Sequence, residues 1–109
     1  MTDPFCMVLT TVNCDSTKNT IIESLLKNKL AACIQVLPIH SHYIWDGKVQ
    51  EDNEQLLIIK TQKGLFNELE SVIQSLHDYD VPQIVQVPIT NGLNPYLCWI
   101  EESTKTPNV

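Results

Sequence analysis

Glycine is scarce in this chain of 109 residues: there are three, at 47, 64 and 92. A loop that cradles phosphate needs several close together, so a glycine-rich nucleotide site is excluded. Basic charge is also scarce, with 7 Lys and Arg against 13 Asp and Glu, and the lysines are scattered singly. At a net charge of −6 a groove that tracks a nucleic-acid backbone is not expected. No apolar run approaches the roughly 18 residues that span a bilayer. Met1-Thr2-Asp3-Pro4 lacks the basic residues of a secretory leader. The expectation is a protein of the cytoplasm with neither nucleic acid nor membrane as partner.

Paired cysteines are missing as well. Cys6, Cys14, Cys33 and Cys98 stand 8, 19 and 65 residues apart, which matches no disulfide module and rules out a zinc ribbon or a thioredoxin-like pair. They read as reduced thiols. With 43% hydrophobic and 18% charged residues, the chain suits one globular domain over residues 1–109.

Hydrophobic spacing orders the elements. Residues 5–13 are β-branched and apolar, and Asn13-Cys14-Asp15-Ser16 supplies a turn and a helix cap. From Ser16 to about Lys29, Ile21, Ile22, Leu25 and Leu26 fall on one helical stripe. An extended segment runs from Cys33 to Val49, interrupted by Pro38, which demands a bulge, a bend or a sheet edge. Asp46-Gly47 signals a hairpin turn, and a return strand is expected from about Glu54 to Thr61. Leu65, Phe66, Leu69, Val72, Ile73 and Leu76 mark a second amphipathic helix. Residues 84–89 form a fourth strand, and Asn94-Pro95 reads as cap and first residue of a short final helix. The order βαββαβ plus a C-terminal helix is the split βαβ, ferredoxin-like α+β arrangement.

In such a sheet the face away from the helices should alternate apolar with polar. Met7-Val8-Leu9 and Leu56-Leu57-Ile58-Ile59 are apolar at both parities instead, so a second subunit is expected to cover that face.

The ordered blocks Leu30-Ala31-Ala32-Cys33-Ile34-Gln35-Val36, Tyr43-Ile44-Trp45-Asp46-Gly47-Lys48, Glu54 through Thr61, His77-Asp78-Tyr79-Asp80-Val81-Pro82 and Val87-Pro88-Ile89 with Tyr96-Leu97-Cys98-Trp99 carry a resemblance. The chain resembles the CutA family of divalent-cation tolerance proteins. The resemblance implies a homotrimer of ferredoxin-like protomers with sheets toward the three-fold axis. It also implies a non-enzymatic role in tolerance to divalent metals, copper among them, with no required cofactor. The architecture is similar to PII signalling proteins, which makes an anionic-effector sensor the alternative, and a structural scaffold a third reading.

Histidine is the commonest ligand of copper and zinc. His40 and His42 share one strand face at a separation of about 7 Å and could hold one cation between them. His77 ends the second helix, where imidazole suits the helix dipole. It also matches a family histidine that in some relatives joins a neighbouring histidine and a strand-one cysteine at copper. Here Leu76 and Thr10 occupy those positions. Cys33, Trp45, Glu54, Lys60, Asp80 and Tyr96 lie in the family blocks, and the resemblance gathers them around a cleft between subunits. No helix start or orienting third group activates Cys33, so an enzyme is not expected.

Overall fold

A computed structural model describes residues 3–108. Its elements are β1 (Phe5–Val12), α1 (Asp15–Lys27), β2 (Cys33–Trp45), β3 (Lys48–Gln62), a 3-10 turn (Lys63–Leu65), α2 (Phe66–Leu76), β4 (Ile84–Pro88) and α3 (Asn94–Ser103). The strands form one antiparallel sheet in the order β2-β3-β1-β4. The ferredoxin-like expectation is borne out.

One sheet face carries Cys6, Val8, Leu57 and Ile59, all buried beneath Ile21 and Leu25 of α1 and Leu69 and Ile73 of α2. These helices bury the stripes that their spacing marked. Leu26, on the edge of the α1 stripe, stays exposed. Strand alternation places Phe5, Met7, Leu9, Leu56, Ile58, Val85 and Val87 on the opposite face, none of them fully buried.

Pro38 proves to lie on an edge strand rather than at a bulge. It pairs with Gln55 in a β2–β3 register that runs unbroken from Cys33↔Lys60 to Trp45↔Lys48. The return strand starts at Lys48, not Glu54, and Val49 belongs to it. The polar run Gln50-Glu51-Asp52-Asn53 shows no apolar alternation because this part of the hairpin has no core beneath it. Backbone pairing and a few exposed cross-strand side-chain contacts keep it extended. Because β1 pairs only with Gln55–Gln62 of β3, the outer half of the hairpin projects beyond the sheet. Its tip is a two-residue turn in which Asp46 and Gly47 both have positive φ, 54° and 72°, as a type I′ turn requires.

The final helix also differs from expectation. Asn94 lies inside α3 and Leu93 caps it, because the Leu93 carbonyl accepts from the Tyr96 and Leu97 N–H groups at 3.0 Å.

Candidate functional site

Where β1 ends, the projecting hairpin and the segment after α2 enclose a groove of about 550 Å³. Tyr43, Trp45, Asp52 and Glu54 come from the hairpin, Tyr79 and Asp80 from the segment beyond α2; His42 borders it. The Tyr79 hydroxyl donates to Glu54 Oε2 at 2.6 Å, and the Tyr43 hydroxyl donates to Asp52. Burial first, then the bond to Glu54, pushes the Tyr79 phenol well above its ordinary value. The bond to Asp52 is the main cause of the upward shift at Tyr43. Both phenols therefore stay protonated donors, and the walls carry three carboxylates with no lysine or arginine among the lining residues.

The segment after α2 is fixed by His77. Its side chain is fully buried; Nε2 lies 2.8 Å from the Thr11 carbonyl oxygen, and Nδ1 lies 3.1 Å from the Tyr79 N–H. A carbonyl only accepts and a backbone N–H only donates, so Nε2 carries the proton and Nδ1 accepts. Both nitrogens are committed. The imidazole ties the end of α2 to β1 instead of capping helix carbonyls. Nearby Thr10 is buried on the helix side of the sheet with no hydrogen-bond partner for its hydroxyl.

The family model for CutA1 divalent ion tolerance protein matches residues 6–103. The chain belongs to the CutA1 family. Among its relatives, the chloroplastic CutA protein of Arabidopsis thaliana is 42% identical over 95% of the chain, and the divalent-cation tolerance protein CutA of Thermus thermophilus is 41% identical over 90%. The chain spans 58% of the Arabidopsis protein but 96% of the Thermus one. In three dimensions it is similar to CutA1 of Pyrococcus horikoshii, with a TM-score of 0.89 at 36% identity over 93% of the chain and 99% of the other. CutA1 of Oryza sativa also gives 0.89, at 41% identity over 95% and 96%.

Within the single chain, the six residues that the CutA resemblance gathered fall into two groups. Trp45, Glu54 and Asp80 line the groove. Cys33 and Lys60 pair at the other end of the β2–β3 ladder, and Lys60 Nζ lies 5.6 Å from the centre of the Tyr96 ring on α3. The antiparallel register decides this, since Cys33 and Trp45 are at opposite ends of β2. Tyr43, Asp52 and Tyr79 were missed as groove residues because their partners come from across the hairpin or from a distant loop.

His40 and His42 do lie together, with ring centroids 4.8 Å apart on the outer hairpin. Glu51, also missed, joins them: its Oε2 is 3.5 Å from His42 Nδ1 and 3.9 Å from His40 Nε2. The turn at Asp46-Gly47 could have revealed it, since counting back from a two-residue turn sets His42 opposite Glu51.

All four cysteines are free. Burial raises the Cys6 thiol to about 11, whereas Cys14, at the start of α1, is lowered chiefly by the Ser16 hydroxyl 3.1 Å away. Among the described residues no helix is long and apolar enough to cross a membrane.

Proposed function

We propose that the chain is a non-enzymatic, homotrimeric divalent-cation tolerance protein of the cytoplasm that takes up the cation directly, copper above all. The groove wall carries this reading: Asp52, Glu54 and Asp80 converge there without a lysine or arginine. A concavity of one charge sign concentrates ions of the other. The anionic-effector alternative has less to rest on in this groove, which no lysine or arginine lines.

The trimer is supported by the sheet face opposite the helices. Met7, Leu9, Leu56 and Ile58 run along its centre, while Leu37 and Val85 flank them at 39% and 44% exposure. An apolar face of that extent is what subunit interfaces cover. The Thermus relative's name, divalent-cation tolerance protein, agrees with the cation. Four free thiols suit a reducing compartment.

Sedimentation equilibrium combined with calorimetry tests the whole reading. The expected result is a trimer that gives binding heats with Cu²⁺ and Zn²⁺ and none with a panel of anionic metabolites. A stable monomer at micromolar concentration, or heats from anions alone, would overturn it.

A further inference from the structure

We propose that His40, His42 and Glu51 form a binding site for a borderline divalent cation on one face of the projecting hairpin, with Asn53 positioning His40. This rests on the cation-uptake reading: the groove carboxylates draw the cation to the hairpin, and the ligands on the hairpin's other face hold it.

The register builds the site. His42 lies opposite Glu51 and His40 opposite Asn53, so alternation puts all four on one hairpin face, the reverse of that bearing Tyr43, Asp52 and Glu54. Among the described residues this is the one group of three His, Cys, Asp or Glu side chains whose ligand atoms converge, all within 4.8 Å of one another.

A second observation concerns which nitrogen is available. His40 Nδ1 lies 2.7 Å from Asn53 Oδ1, and a carboxamide oxygen only accepts, so the proton sits on Nδ1 and the lone pair on Nε2. Nε2 is the nitrogen that faces Glu51. A hydrogen-bonded partner that fixes the tautomer and ring orientation is the usual companion of a ligating histidine. By contrast, His77 has no nitrogen to offer.

Distance and donor type then narrow the ion. Ligand atoms about 2.0–2.2 Å from a tetrahedral ion stand about 3.4 Å apart. The separations of 3.5 and 3.9 Å from Glu51 come close to this, and the full spread of up to 4.8 Å closes when the exposed side chains rotate inward around an ion. Two imidazoles and one carboxylate favour Cu²⁺ and Zn²⁺ over Ca²⁺ and Mg²⁺, which prefer all-oxygen shells. Three protein ligands leave a position for water, which suits an ion taken up and released rather than a permanent structural one. Asp52 and Glu54 on the reverse of the hairpin add negative potential.

The test is titration of the full chain with Cu²⁺ and Zn²⁺ against a chromophoric chelator, together with electron paramagnetic resonance of the Cu²⁺ form. One ion per chain with two-nitrogen hyperfine coupling is expected. His42→Ala and Glu51→Gln should each weaken binding more than tenfold. Asn53→Ala, which retains every ligand, should weaken it about tenfold. Glu23→Gln, at an exposed position on α1, should leave the affinity unchanged. His40, His42, Glu51, Asn53 and Glu23 are exposed, so these changes leave the core untouched, and sedimentation checks assembly. Binding that survives a combined His40→Ala and His42→Ala change but is lost with Asp52→Asn and Glu54→Gln would overturn this site and place the ion in the groove. No binding by the parent chain would overturn both this site and the uptake reading.

Discussion

At Tyr79 a single phenol links the groove to stability. Its folded-state value is raised, mainly by burial and then by the hydrogen bond to Glu54, while in the unfolded chain it titrates near 10. Above that pH the unfolded state binds fewer protons than the folded one, so stability falls as pH rises. Below it the contribution is fully present. Cys6, raised from 9.0 to about 11 by burial, acts with the same sign over an earlier window. We expect the melting temperature to decline from about pH 9 and more steeply above 10, and Tyr79→Phe to remove the steeper part. An alkaline series of melting curves on both proteins checks this. Identical slopes above pH 10 would show that the phenol is not coupled to folding. His77 lies at the same scale. Its place at the end of a helix was legible in the sequence, but its partners were not, since Thr11 stands 66 residues away.

Among the elements, α1 ends under strain that the sequence leaves unrelieved. Lys29 follows the helix with φ 55°, a left-handed conformation that suits glycine. The Leu30 N–H donates to the Leu25 carbonyl at 2.9 Å and the Lys29 N–H to the Leu26 carbonyl at 3.1 Å, while Leu25 and Leu30 are both buried. This is the Schellman closure with lysine where glycine is usual. Lys29→Gly should therefore stabilise the protein by about 1 kcal/mol, the typical cost of a side chain in the left-handed region. Urea unfolding with an unchanged slope but a higher midpoint is the expected outcome. The hairpin gives the complementary lesson. Its tip was legible from Asp46-Gly47, and the tip fixes every pair down to Cys33↔Lys60. Its full length was not legible, because backbone pairing without a buried face leaves no hydrophobic period to read.

For the molecule as a whole, the projecting hairpin and the apolar sheet face belong to one proposal about assembly. Trp45 is 54% exposed in the single chain and stands beside Ile44, exposed at 67%. Aromatic side chains of this kind anchor interfaces. In the trimer reading Trp45→Ala should cost about 2 kcal/mol or more at each interface. Dissociation at higher protein concentration and a lower, more concentration-dependent melting temperature are the expected signs. Sedimentation and melting over two decades of concentration measure both. An unchanged trimer with an unchanged melting temperature would place Trp45 outside the interface.

The order of elements, the two buried helix stripes, the edge position open to Pro38 and the CutA likeness were all determined by the sequence, because each rests on local spacing or on blocks of adjacent residues. Tertiary structure decided the rest. It brought Glu51 and Asn53 to the histidine pair and put Tyr79 on Glu54. Within one chain it also set Lys60 and Tyr96 at the opposite end of the hairpin from Trp45 and Asp80, and it closed both nitrogens of His77. The physical reason is the same each time: a hydrogen bond or ligand set between strands depends on pairing register and on which loop closes over which strand end, and neither leaves a periodic trace in the chain.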